Sequence, residues 1–164
     1  MAAAQDDARL DSLFSALLEA DAETAPAIVN DIVEEWSRSG SPTIDLLLKR
    51  GRDALESGDY AAAIDHFTAV IDYAPDFAEG YNGRALAYYN TERIGPAIDD
   101  LRQTLVLNPR HFFALIGFAT VLEELGRPED ALEVYNLYLA LHPSSPEANE
   151  AAERLTNELA GRSL

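Results

Sequence analysis

The chain of 164 residues contains no cysteine, which excludes disulfides, thiol chemistry and thiolate metal sites. Histidine is scarce: His66, His111 and His142 stand far apart and share no ligand spacing, so no metal site is expected. Lysine is scarcer still, with Lys49 alone among bases that are otherwise arginine. No apolar run approaches the roughly 20 residues of a membrane-spanning helix, so no membrane insertion is expected. There is no glycine-rich phosphate loop, no nucleophile elbow and no calcium-loop pattern. Carboxylates are plentiful, but on helix faces they read as solvated surface rather than an acid–base pair. These absences leave nothing for catalysis to be built from, and the expectation is no enzyme and no cofactor.

What the sequence does have is negative charge, formally -17 at pH 7. Such a surface repels phosphate backbones and anionic membranes, which disfavours nucleic acid and favours neutral or basic partners. An acidic surface also serves solubility alone, and both readings stand. The charge is uneven. The segment up to Pro42 holds nine acids and two bases, whereas residues 78–111 hold four of each. A hydrophobic content of 48% argues for a folded chain.

The organising signal is a period. Ala63, Ala97 and Ala131 stand 34 residues apart, as do Pro75, Pro109 and Pro143. The same spacing relates Gly51, Ala85 and Ala119, then Leu47, Tyr81 and Leu115, then Phe67, Leu101 and Tyr135. A fixed period of this length marks a repeat array. Small residues allow two antiparallel helices to cross closely, the bulky columns fill the space beside the crossing, and each proline ends a second helix because it cannot donate the next hydrogen bond.

Before the array, Leu10, Leu13, Phe14, Leu17 and Leu18 recur at helical spacing, and Ile28, Ile32, Val33 and Trp36 do so again. This predicts a helical hairpin over residues 1–42, either a degenerate repeat or a cap over the apolar end of the array. Gly40 suits the left-handed residue after a helix end, with Ser41 as the next N-cap and Pro42 in the first turn. TERIGP (91–96) is expected to be the turn of the middle hairpin, with Gly95 and Pro96 breaking its first helix and starting its second, and Pro128 with Glu129 and Asp130 to open the last second helix. After Pro143, Ser144 and Glu147 suggest a capping box, and Ala148, Ala151, Ala152, Leu155 and Leu159 form one apolar stripe. Arg84 and Asp100 are expected to pair across the middle hairpin, since buried charges are normally paired.

The five repeated columns are those of the tetratricopeptide repeat (TPR), which the chain resembles from about Thr43 to Ser145. The resemblance implies an all-α, right-handed TPR solenoid: three helix-turn-helix repeats at 44–77, 78–111 and 112–145 within 43–145, then a C-terminal capping helix and tail over 146–164. It also implies a concave groove, lined by the first helix of each repeat, that holds a peptide. Carried over position by position, the groove residues are Leu48, Lys49, Arg52, Asn82, Leu86, Tyr89, Phe113, Ile116 and Thr120, with Glu79 beside them. One TPR subclass grips acidic chaperone tails with cations and amides. Asn82 matches it and Arg52 partly does, but Ile116 and Thr120 stand where that clamp needs cations. The implied function is therefore a non-enzymatic protein-interaction module for a neutral or mixed apolar and polar peptide. The alternative is a self-assembling scaffold, and a homo-oligomer is compatible with either.

The stretches SGSPTIDLLLKRG, DFAEGYNGRALAYY and LNPRHFFALIGFATVLEELGR are similar to a group of short TPR proteins of alphaproteobacteria. In that group a leader precedes the helical hairpin, which implies export to the periplasm. MAAAQDDARLD then reads as the remainder of a trimmed leader, or else as an ordinary terminus of a cytoplasmic protein.

Overall fold

The second helices start on the 34-residue period. In the computed structural model the second helix of each pair opens at Tyr60, Ile94 and Pro128, behind the N-caps Asp59, Arg93 and Arg127. The structure describes residues 2–162, with side chains for 8–161. Met1, Ser163 and Leu164 lie outside the described residues, and so do the side chains on which a leader remnant would be read. Among the described residues there are nine helices and no strand: α1 (Ala2–Glu19), α2 (Ala25–Trp36), α3 (Pro42–Glu56), α4 (Tyr60–Tyr73), α5 (Ala78–Asn90), α6 (Ile94–Leu107), α7 (Phe112–Glu124), α8 (Pro128–Leu139) and α9 (Pro146–Arg162). They form two compact units, Ser37–Val121 and Met1–Trp36 with Leu122–Leu164.

The unit Ser37–Val121 holds the α3–α4 and α5–α6 hairpins and most of α7. Gly40, at φ +80, turns the chain into α3. Ser41 takes the N-cap position with Pro42 behind it, but its side chain makes no capping bond. Ser39 ties the start of α3 instead, donating from its backbone N–H and its Oγ to Asp45 Oδ1. Asp59 caps α4 by accepting from the Ala62 N–H at 3.1 Å. In the middle hairpin the turn is made by Glu92, at φ +59, and not by Gly95 and Pro96. Those two lie inside the first turn of α6, where a proline sacrifices no hydrogen bond because the first N–H groups have no helical partner.

Two apolar clusters run through this unit. Leu48, Ala63, Phe67, Val70 and Ala87 form one, and Ala85, Leu101, Ala114 and Val121 the other. The small columns do what their spacing requires: Ala63 and Ala97 are fully buried at the crossings. Phe67, with no exposure, lies against helix backbone on two sides. Its ring atoms come within 2.6 Å of where a Cβ on Gly51 would stand and within 2.4 Å of one on Gly83. Burying a side chain of this size contributes roughly 1.5–3 kcal/mol, and two glycines create the space for it.

In the other unit, Phe14, Leu17 and Ile32 are buried and the Phe14 and Trp36 rings lie 6.0 Å apart. The end of this hairpin is tied by Arg9 to the buried Glu35 at 2.8 Å. Leu18 departs from the expected stripe and is about half exposed. Gly126 turns the chain at φ +69, and Pro128, Glu129 and Asp130 occupy the first turn of α8 as expected. Ser145 rather than Ser144 caps α9, its Oγ accepting from the Ala148 N–H, while Ser144 Oγ is buried without a partner. Ala148, Ala152 and Leu155 carry the buried stripe of α9, and Arg154 holds that helix to Glu123 at 2.7 Å. Ala22 of the α1–α2 turn and Ala25, Pro26, Val29 and Asn30 of α2 share a hollow of about 240 Å³ with His142, Ser144 and Pro146. Burial there lowers the His142 pKa below the ordinary histidine value.

Candidate functional site

Glu79 lies in the first turn of α5, where the helix dipole favours a negative charge, and it is almost completely buried. Its Oε2 accepts from Arg52 Nη2 at 2.6 Å, and its Oε1 lies 2.7 Å from His111 Nε2. The Ala114 N–H donates to His111 Nδ1 at 3.2 Å, so the ring caps α7. With Nδ1 accepting, the ring proton belongs on Nε2, and His111 donates it to Glu79. Arg52 Nη1 in turn donates to Ser37 Oγ at 2.8 Å. The chain of contacts thus runs from Ser37 through Arg52, Glu79 and His111 to the backbone of α7. Burial by itself would raise the Glu79 pKa, but the hydrogen bond from His111 and the Arg52 cation outweigh it and hold the carboxyl below the ordinary glutamate range.

Sequence reasoning missed this network. It placed Glu79 on the exposed groove face, and the structure corrects that to a buried anchor. His111 belongs to none of the repeated columns. The one legible hint is its position immediately before Phe112, where a helix start needs a side-chain acceptor. The Glu79–His111 pair is closed to a substrate, because the ring is fully buried and both of its nitrogens are engaged.

The Arg84–Asp100 pair stands as the sequence predicts. Arg84 Nε and Nη2 donate to the two carboxylate oxygens at 2.7 and 2.9 Å, and Nη1 donates to Thr68 Oγ1 at 3.2 Å. The guanidinium also lies over the rings of Tyr88 and Tyr81. The hydrogen bond from Arg84 to Asp100 raises the arginine pKa against the opposing effect of burial. With Nε, Nη1 and Nη2 each engaged inside the protein, the pair fixes the hairpin.

The remaining groove positions divide by exposure. Leu48 is 2% exposed and belongs to the Phe67 cluster, so it packs beneath the surface instead of lining it. Lys49 is exposed and donates to Asp53 Oδ2 at 2.7 Å. Lys49 and Arg52, the two cations among these positions, are thus each paired with a carboxylate of the chain itself. Asn82, Tyr89, Ile116 and Thr120 are part-buried, with Tyr89 packed on the second cluster and Thr120 Oγ1 donating to the Ile116 carbonyl. Leu86 and Phe113 are 51% and 47% exposed. Phe113 stands edge-on to the buried Phe112 with centroids 4.9 Å apart. Among the described residues no group of three His, Cys, Asp or Glu side chains could hold a metal ion, and no helix is long and apolar enough to cross a membrane.

Comparison with known proteins agrees with the period. The tetratricopeptide repeat family models match residues 48–109 and 113–155. A TPR repeat-containing protein of Rhizobium etli is 36% identical over 154 residues, covering 93% of this chain and 76% of the relative. The small glutamine-rich tetratricopeptide repeat-containing protein 2 of Saccharomyces cerevisiae is 29% identical over 126 residues, which is 76% of this chain but 35% of the yeast protein. Among solved structures, the first TPR of Spaghetti (RPAP3) bound to the HSP90 peptide SRMEEVD superposes with a TM-score of 0.67 at 26% identity, covering 71% of this chain and 93% of that one.

Proposed function

Because the chain belongs to the tetratricopeptide repeat family, we propose that it is a non-enzymatic interaction module whose first helices hold a peptide segment of a partner protein. Its fold is the all-α TPR solenoid, and the similar Spaghetti domain carries a peptide in its solved complex. The observation that carries the reading is the exposure of Leu86 and Phe113, two large apolar side chains on successive first helices. An apolar side chain left half in water on α5, and another on α7, are surface that a partner can bury. Lys49, Arg52, Asn82, Tyr89, Ile116 and Thr120 are the other positions of the first helices assigned to the same surface. Three repeats present a short surface, so affinity for an isolated peptide is modest.

The test is affinity capture from envelope and cytosol fractions, comparing the parent protein with Phe113→Ala, Leu86→Ala and the off-site Val106→Ala. Loss of the same bound protein from the first two variants, and its retention by the third, supports the groove. If both groove variants keep every bound protein, the surface is misassigned.

A second reading, self-assembly into a scaffold, is favoured by Tyr73 and Val106, which are 74% and 73% exposed away from the groove positions. Light scattering across a concentration series decides it, since a strict monomer removes the scaffold.

A further inference from the structure

We propose that the junction between the second and third repeats receives a cationic peptide through one bulky apolar side chain seated at Leu86 and Phe113. This rests on the peptide-groove reading above and adds the chemistry of the partner. The argument begins with register. Arg52 and Glu79 join the first repeat to the second at 2.6 Å. Thirty-four residues further along stand Leu86 and Phe113. One junction later, therefore, the two positions that carry an ion pair carry two apolar side chains instead. The first pair is closed, with Glu79 buried beneath Arg52, while the second is about half exposed. The part-buried positions in sequence around it, Asn82, Tyr89, Ile116 and Thr120, are all uncharged.

Charge decides what surrounds that group. Among the described residues both groove cations are already engaged, Lys49 by Asp53 and Arg52 by Glu79. The Arg52 fork is filled on its other side by Ser37. A carboxylate arriving at Arg52 would have to displace Glu79, stranding a buried charge that has His111 as its other partner. At longer range the chain carries -17, and residues 37–121 hold eleven acids against eight bases. An acidic peptide is thus repelled on approach and meets an Arg52 already held by the buried Glu79, whereas a basic one is steered inward. The contrast is with the Spaghetti domain, whose bound peptide SRMEEVD is acidic.

The experiment is fluorescence anisotropy with four dye-labelled probes: KKSLWLSKK, its acidic counterpart EESLWLSEE, the anchor-less KKSSGSSKK, and SRMEEVD. Protein variants are Leu86→Ser, Phe113→Ser and the off-site Val106→Ser, each confirmed folded by thermal melt. KKSLWLSKK is expected to bind about tenfold more tightly than the other three, to weaken about fivefold or more in Leu86→Ser or Phe113→Ser, and to be unchanged in Val106→Ser. Raising the salt concentration should weaken it. If EESLWLSEE or SRMEEVD binds best and the two groove variants weaken it, the cationic partner is wrong while the groove stands. Equal binding of KKSLWLSKK and KKSSGSSKK overturns the apolar anchor. Binding of KKSLWLSKK that survives both groove substitutions removes the groove itself, and failure of every probe overturns the proposed chemistry.

Discussion

A Cβ on Gly83 would stand 2.4 Å from the ring of Phe67. The ring is completely buried and is also within 2.6 Å of where a Cβ on Gly51 would stand, so it is held between two helix backbones. Gly83→Ala gains roughly 1 kcal/mol of helix propensity but overpacks the core at a cost of roughly 1–3 kcal/mol. With the ring unable to yield, the clash outweighs the propensity, and the variant should be less stable by up to about 2 kcal/mol in urea titrations. Gly95→Ala is the control: nothing lies within 4 Å of its added methyl, so the same chemical change should be neutral or stabilising. Equal effects at the two sites would contradict the placement of Phe67.

Glu92 occupies, in the middle repeat, the left-handed position that Gly58 and Gly126 fill in the other two. The φ values are +59, +76 and +69. An L-residue pays roughly 1–2 kcal/mol in that conformation, and glycine returns part of it through its looser unfolded chain. Glu92→Gly should therefore raise the melting temperature, by an amount corresponding to several tenths of a kcal/mol to about 1 kcal/mol. A lowered melting temperature would show that Glu92 has a stabilising role in its side chain.

Arg84 and Asp100 have side chains 18% and 8% exposed, respectively, so their pair is nearly dry. Asp100→Asn leaves the guanidinium without its counter-charge and should cost about 3 kcal/mol, the low end for a broken buried pair because Thr68 remains as an acceptor. The double variant Arg84→Met/Asp100→Leu should recover most of that loss, since it leaves no unpaired charge. A double-mutant cycle with no coupling energy would sink the assignment.

The pH dependence follows from Glu79. Its folded pKa lies below the ordinary 4.5, so the native state holds the carboxylate more tightly than the unfolded chain does. That stabilisation is complete above about pH 4.5 and is lost as pH falls through the depressed folded value. The stability difference between the parent and Glu79→Gln should accordingly be largest near neutrality and shrink on acidification. Urea melts at a series of pH values measure it, and a difference that stays constant from neutral to acid pH would remove Glu79 from the network.

Much of this protein was written locally. Alanine at 63, 97 and 131 can do little else at that spacing than admit a helix crossing, and the Arg84–Asp100 pair follows from placing two charges on facing helices. The start of α8 at Pro128 follows from a proline that cannot sit deeper in a helix. Where local rules allowed two answers, the sequence was a poor guide. Ser41 and Ser144 are good capping residues, yet the start of α3 is tied by Ser39 donating to Asp45 and α9 is capped by Ser145, because a cap is decided by where the chain arrives. Gly95 and Pro96 look like a helix break, but the break falls at Glu92, a residue with no turn signature.

The period in the amino-acid order was enough to determine the family, the helix pairs and the apolar core, because a helix hairpin can bury its face in few ways. Only the folded chain decided that Glu79 lies buried between Arg52 and His111, that Lys49 and Arg52 are paired with Asp53 and Glu79, and that Leu86 and Phe113 stay about half exposed. Those outcomes depend on which charges meet across 27 and 32 residues of sequence. Proximity of that kind is set by packing and leaves no mark in any local pattern.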